Sequence, residues 1–175
     1  MEIRALRPDD SRSEFHSGDA ALDRFFHRYA GQNQFRHHLG ATYVAVEAIR
    51  ILGFVTVAPR HIDIEALPER RRKQLPRYPL PALGLARLAV DQSAQSKGLG
   101  TQLLRFVLKL ASRMADEFGC SAVIVDAKSG AVDFYARYGF KPFVPLEGQS
   151  DARPETTTMY LMMADIKAAE PRTST

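Results

Sequence analysis

The chain has 175 residues, of which 45% are hydrophobic, enough for one globular domain with a sizeable core and too few for two full domains. A formal charge of +4 and a pI near 9.4 are compatible with polyanionic partners without singling out nucleic acid, cofactor phosphates or a membrane surface. The single cysteine, Cys120, excludes an internal disulfide framework, and no Cys/His spacing fits a zinc site. With no leader-like N-terminus and no apolar run of about 18 residues, a cytoplasmic chain without membrane association and without a metal is expected.

The opening EIRAL (residues 2–6) alternates like a strand, and the polar stretch to Asp19 is dense in turn and cap residues. From Ala20 to Gly31, Leu22, Phe25, Phe26 and Tyr29 recur at spacings of three and four, which predicts a helix with one buried face and Asp19 as N-cap. ATYVAVEA (41–48) and ILGFVTVAP (51–59) predict an antiparallel hairpin whose second strand ends at Pro59. Residues 60–82 carry prolines at 68, 76, 79 and 81, so they read as an ordered insertion with at most a short helix around PERRRKQ.

Leu83 to Val90 then predicts a strand, and residues 101–118 a helix with Leu103, Leu104, Val107, Leu110, Ala111, Met114 and Phe118 on its apolar face, stopped by Gly119. SAVIVDA (121–127) reads as a buried strand, SGAVDFYARYG (129–139) as a helix ending at Gly139, and FKPFVP (140–145) as a further strand. A polar loop, LEGQSDARPE, leads to the last strand TTTMYLMMADIK (156–167). The expected organisation is one domain over 1–167 and a frayed tail over 168–175.

The junction QSKGLG (95–100) sits where a strand feeds a helix, and there the free N–H groups of the first helical turn and the helix dipole favour an anion. Gly98 and Gly100 would permit positive φ or close approach of a phosphate, with Lys97 adding charge at the rim; the same glycines would equally serve an ordinary turn. The spacing matches neither a dinucleotide-binding GxGxxG nor a P-loop.

QSKGLG resembles the (Q/R)xxGx(G/A) acetyl-CoA signature of the GCN5-related N-acetyltransferases, and DFYARYGFKP downstream matches that family's FYxxxGF segment through Phe134, Tyr135, Gly139 and Phe140. The resemblance implies an α/β (α+β) fold: a mixed central sheet of six to seven strands with a splayed parallel pair, flanked by about four helices. It further implies acetyl-CoA as cosubstrate. Leu88, Ala89 and Val90 would pair with the pantetheine arm, Gln95, Ser96, Lys97, Gly98, Leu99, Gly100 and Thr101 would hold the pyrophosphate, and Phe134 would adjoin the cofactor. Tyr135 would be the acid at the CoA sulfur. SGDAALDRFFHRYAGQNQ, the hairpin and LPRYPLPALGLARLAVD are similar to the acetyltransferase toxins of this family. That likeness implies acetylation of the α-amine of aminoacyl-tRNA, a ribbon-helix-helix antitoxin as partner, and a homodimer.

No Asp, Glu or His stands at an evident general-base position, although a water relay from Asp126 or a backbone carbonyl would leave no signature. At pH 7 an α-amine of pKa ~8 costs about 1.4 kcal/mol to deprotonate and a lysine of ~10.4 about 4.6 kcal/mol, so a base-poor site favours the α-amine. Arg70, Arg71, Arg72 and Lys73, with Arg60, Arg77 and Arg87, would suit tRNA phosphates if they lie near the thiolate end of the cofactor, as would Arg24, Arg28 and Arg36; a solvated helix face is the alternative. Two other functions remain open: the same fold acting on a small-molecule or protein amine, and a non-catalytic acyl-CoA or nucleic-acid binding module.

Overall fold

The computed structural model describes residues 1–143 and 156–171. The polar loop 146–155, the end of the predicted FKPFVP strand and residues 172–175 lie outside the described residues. Among the described residues seven strands form a mixed sheet in the order β1-β2-β3-β4-β5-β7-β6, with β4 and β5 as the parallel pair. By internal contacts the chain divides into two compact units, residues 1–58 with 85–109 and residues 59–84 with 110–175.

In the first unit, β1 (Glu2–Ala5) pairs antiparallel with β2 (Ala41–Glu47), and β2 pairs antiparallel with β3 (Arg50–Ile62) from Ala41↔Val57 to Glu47↔Arg50. The hairpin is tight: Ala48 takes φ +56° in the turn. Asp19 caps α1 (Ala20–Arg24) by accepting from the N–H groups of Ala21 and Leu22. Beyond it the helix widens into two π-helical stretches, Phe25–Tyr29 and Gln32–Arg36. That widening explains the one departure on this face. Phe25 and Phe26 are buried as the spacing predicts, but the larger turn rotates Tyr29 outward to 46% exposure. Phe26 lies flat on Phe54 with ring centres 4.3 Å apart, and Phe15 meets both rings edge-on.

Contrary to the sequence reading, β3 does not stop at Pro59 but runs to Ile62. Its pairing with β2 ends at Val57, so past that point β2 makes no demand on the N–H that proline lacks. In the second unit the insertion follows as a single turn of 3-10 helix at Ile64–Ala66 and the short α2 (Glu69–Arg72). Ile62, Leu67 and Leu80 anchor it in a core shared with Ile124, Tyr160 and Met162. β4 (Leu80–Val90) starts earlier than Leu83 and carries Pro81, whose carbonyl accepts from the N–H of Ser121.

α3 (Leu99–Glu117) buries Leu103, Leu104, Val107 and Ala111 and ends at Gly119, which takes φ +109°. Phe118 was expected on the buried face, yet it stands 75% exposed at the cap, where the helical period no longer applies. β5 (Ala122–Lys128) pairs antiparallel with β7 (Thr156–Met162), α4 (Val132–Arg137) lies between them in sequence, and β6 (Lys141–Pro142) pairs with β7. The last predicted strand is cut short. Its register ends at Ala122↔Met162, the start of β5, and residues left without a strand partner satisfy their backbone as α5 (Met163–Ala169) instead. The expected boundary at 167–168 falls inside this helix.

Truncating Phe26 to Ala removes the stacked partner of Phe54. It should cost ~3–5 kcal/mol, read as a lower urea midpoint with an unchanged m-value.

Candidate active site

In the first unit β4 delivers Val90 and Asp91 to a turn that ends at α3. Asp91 is 4% exposed and accepts from the N–H of His16 (3.0 Å) and from the N–H and hydroxyl of Ser93 (3.0 and 2.7 Å). Arg50 adds an ion pair at 3.4 Å. Burial alone would push this carboxyl up, but the donors from His16 and Ser93 and the Arg50 charge outweigh it and hold the group below the usual carboxylate range. Gln92 N–H returns a bond to His16 O, and the Gln95 amide donates to Ser17 O (2.7 Å) and Val90 O (2.9 Å). Residues 91–95 are thus stitched to the turn that precedes α1.

The backbone after this stitch turns left-handed twice, at Ser96 (φ +61°) and Gly98 (φ +84°). A Cβ on Gly98 would meet no atom within 4 Å, so the space in front of the loop is open. Gly100 takes no positive φ, because α3 already begins at Leu99 and Gly100 lies in its first turn; of the two allowances expected for it, close approach of a phosphate is the one left to it. Leu99 is buried and pins the helix start to the core, and Leu99 and Gly100 stand in the first turn, where an α-helix leaves N–H groups without internal partners. Open space, exposed N–H groups and the positive end of a long helix make a seat for an anion. Lys97 sits at the rim, its ammonium donating to Ser93 O at 3.1 Å. Leu88 and Val90 are half-buried and Ala89 is buried between them.

In the second unit the segment Tyr135-Ala136-Arg137-Tyr138-Gly139-Phe140 is a helix terminator. Phe140 N–H donates to Tyr135 O (3.3 Å) and Gly139 N–H to Ala136 O (3.0 Å), with Gly139 at φ +93°. This is a Schellman cap, and its customary apolar contact is the Tyr135–Phe140 ring pair at 5.5 Å. The spacing of Tyr, Gly and Phe is therefore set by helix capping, and the cap holds Tyr135 in place. Phe134 packs edge-on against Tyr135 at 5.1 Å and against Tyr138 at 5.4 Å. Tyr135 is 5% exposed, and burial pushes its phenol up to about 12. No hydrogen bond ties its hydroxyl to another described residue, and it is not among sealed polar atoms without a partner. Asp126, by contrast, accepts from the Thr158 hydroxyl at 2.7 Å through one oxygen and meets Arg60 at 3.2 Å through the other.

The basic positions expected to suit tRNA phosphates belong to different units. Arg87 belongs to the first unit, where its guanidinium lies 3.7 Å over the Phe25 ring, walling a cavity of about 150 Å³, and burial lowers its pKa. Arg70, Arg71, Arg72, Lys73 and Arg77 belong to the second. There Arg71 pairs with Asp165 (3.1 Å) and Lys73 with Glu69 (3.4 Å), while Arg72, Lys73 and Arg77 share a cleft of about 670 Å³ with Asp63, Glu65 and Glu69.

Residues 38–142 match the acetyltransferase (GNAT) domain family. The protein named tRNA-acetylating toxin of Mycobacterium tuberculosis (strain ATCC 25618 / H37Rv) is 32% identical over 170 residues, covering 94% of this chain and 93% of that one. The chain belongs to the GNAT acetyltransferase family. Among solved structures, AtaT complexed with acetyl-methionyl-tRNAfMet superposes with a TM-score of 0.83 at 22% identity, covering 95% of this chain and 97% of that one. A mutant AtaT toxin bound to the C-terminus of the antitoxin AtaR and acetyl-CoA gives 0.76 at 20% identity, covering 95% and 96%. These two likenesses show the shared fold.

Asp91 was absent from the sequence reading, although an aspartate directly after a strand and two residues before a serine is a capping signal. Replacing it by Ala strands the donors of His16 and Ser93 and should cost roughly 1–3 kcal/mol at pH 7. Because the folded-state pKa is depressed, that contribution is complete above the unfolded value of ~3.9. It is lost as pH falls through the lower folded value, so the gap between wild-type and variant stabilities should narrow as pH is lowered past the unfolded value in denaturant titrations.

Proposed function

We propose that this chain transfers the acetyl group of acetyl-CoA to the α-amine of aminoacyl-tRNA and so acts as a toxin on translation. What carries the reading is Tyr135, buried by a helix cap yet with a hydroxyl that has no hydrogen-bond partner among the described residues. Family membership and the 32% identity to a tRNA-acetylating toxin support it. In this reading the N–H groups of Leu99, Gly100 and Thr101 hold the pyrophosphate in the open space before Gly98. The backbone of Leu88 and Val90 pairs with the pantetheine as a further strand would.

The neutral amine attacks the thioester carbonyl, the C–N bond forms, and collapse of the tetrahedral intermediate breaks the C–S bond. The nitrogen releases a proton to solvent and the sulfur leaves as thiolate. With its phenol pushed up to about 12, Tyr135 stands some 3.5 units above a thiol of ~8.5, so giving up its proton outright would cost roughly 5 kcal/mol. Its role is to donate a hydrogen bond to the departing sulfur, a bond that strengthens as charge develops there. An antitoxin of the ribbon-helix-helix class and a homodimer are the partners this reading expects.

Incubating the protein with labelled acetyl-CoA and total charged tRNA tests the reaction. Transfer to aminoacyl-tRNA is expected, and Tyr135→Phe should lower kcat by about 100-fold with little change in the KM for acetyl-CoA. No transfer to charged tRNA would move the acceptor to a small-molecule or protein amine. The pH profile is a separate check: kcat/KM should rise through pH ~8 as the amine loses its proton and show no falling limb from tyrosine below about pH 11. A falling limb near pH 10 that disappears in Tyr135→Phe would contradict the burial argument.

A further inference from the structure

We infer that Arg87 keeps the acceptor amine beside the thioester in its neutral form, and so supplies through its charge what no side chain of the site evidently supplies as a general base. The inference rests on the proposed transfer to an α-amine. Arg87 walls a cavity of about 150 Å³ in the first unit together with Phe25, Gln34, Thr42, Thr56 and Ala86, and it is the one charged side chain among the residues described in that wall. Its half-buried guanidinium lies 3.7 Å over the Phe25 ring and has no carboxylate or hydrogen-bond acceptor among the described residues. A ring attracts a cation through its quadrupole but carries no net charge, so the positive charge is held in place without being neutralised. Burial is the one cause of its lowered pKa, and a guanidinium keeps its charge at any working pH all the same.

The elements packed around the cavity bring no acid to it. The helical segment carries Arg24, His27, Arg28 and Arg36, and Asp23 before them is held by the N–H and hydroxyl of Ser17. His37 and His38 follow it. β2 and β3 carry Glu47 at the hairpin turn, the opposite end of β2 from Thr42, and otherwise Arg50, Arg60 and His61. β4 has no acid before Asp91 follows it, and that carboxylate is engaged with His16 and Ser93. None of these groups lines the cavity. The polar groups that do are neutral: Gln34 Oε1 accepts from the N–H of Thr42 (2.7 Å), and the Thr42 and Thr56 hydroxyls share a bond at 2.8 Å. β4 joins this wall to the cofactor seat, because a pantetheine paired with Val90 and Leu88 brings its thioester end alongside Arg87 and Ala86. An amine arriving there as an ammonium meets a fixed like charge and no counter-charge, so its proton passes to water and the lone pair is free for the thioester carbon.

Single-turnover acetylation at saturating charged tRNA, followed against pH, tests this, because at saturation the profile reports the bound amine whereas kcat/KM reports the free one. For the wild type the saturating rate constant should reach half its plateau about one pH unit below the half-point of kcat/KM. In Arg87→Gln the two half-points should coincide. Near pH 7 its saturating rate constant then drops about 5-fold and its KM for charged tRNA falls alongside, while above about pH 9 both approach the wild-type values. Arg87→Met, which keeps an apolar stem over Phe25, should behave as Arg87→Gln does, and Arg87→Lys, which keeps the charge, should keep the half-points apart. Separated half-points in Arg87→Gln and Arg87→Met, a loss of rate equal at every pH, or a raised KM with a salt slope smaller by about 1, the mark of a lost phosphate contact, would each overturn the inference. An amino-acid methyl ester offers the same α-amine without RNA. If the wild type acetylates the ester with separated half-points yet leaves charged tRNA untouched, the proposed tRNA reaction fails while the role of Arg87 stands; transfer to neither acceptor overturns both.

Discussion

The buried carboxylate of Asp91 is the interaction on which the first unit's loop depends. A strand that gives way to a helix leaves backbone groups unpaired on both sides of the junction, and a chain that turns left-handed twice within three residues has little regular structure to hold it. Asp91 supplies what the missing ladder would have supplied: it gathers two backbone N–H groups and a hydroxyl, while Gln92 and Gln95 return bonds to the turn before α1. The loop is then rigid where it is anchored and empty where Gly98 faces out. An anion seat built this way pays its ordering entropy during folding rather than on binding.

The second unit solves a different problem with a helix end. A tyrosine that must present a polar tip from an apolar setting needs its ring fixed without a hydrogen bond to do the fixing, since that bond would occupy the hydroxyl. The Schellman cap achieves this through backbone bonds and ring contacts to Phe140 and Phe134 alone. The burial that fixes the ring also raises the phenol to about 12, which keeps the hydroxyl a donor at any physiological pH and makes it a poor source of a free proton. Position and protonation state thus have one cause.

Much of this was legible in the chain because the devices are local. Asp19 as a cap, Gly119 and Gly139 as stops, and the buried faces of Phe26, Leu103 and Val107 follow from spacings of three and four residues. What escaped was set by neighbours distant in sequence. Pro59 fits inside β3 because β2 has already ended, and Met163 turns helical because β5 begins opposite Met162. The π-helical widening that exposes Tyr29 has no signature in a 3.6-residue period, and Gly100 reads like Gly98 until the start of α3 separates them. Asp91 carries a local signal too, a serine two residues on that its carboxylate caps.

Charge is the property that composition describes worst here. Basic residues counted along the sequence draw attention to RRRK, where four cations are consecutive, yet a cation's usefulness to a polyanion depends on what already faces it. Arg71 and Lys73 have carboxylates within 3.1 and 3.4 Å, whereas the cations after Asp23 run for a whole helix without one. Releasing counterions from a nucleic acid requires charges not neutralised in advance, so within RRRK itself Arg70 and Arg72, which no carboxylate pairs among the described residues, have more to offer than Arg71 and Lys73. The same reasoning separates Arg87 from the rest: seated over Phe25 with its charge partly desolvated, it can serve a ligand inside a small cavity better than a phosphate in water.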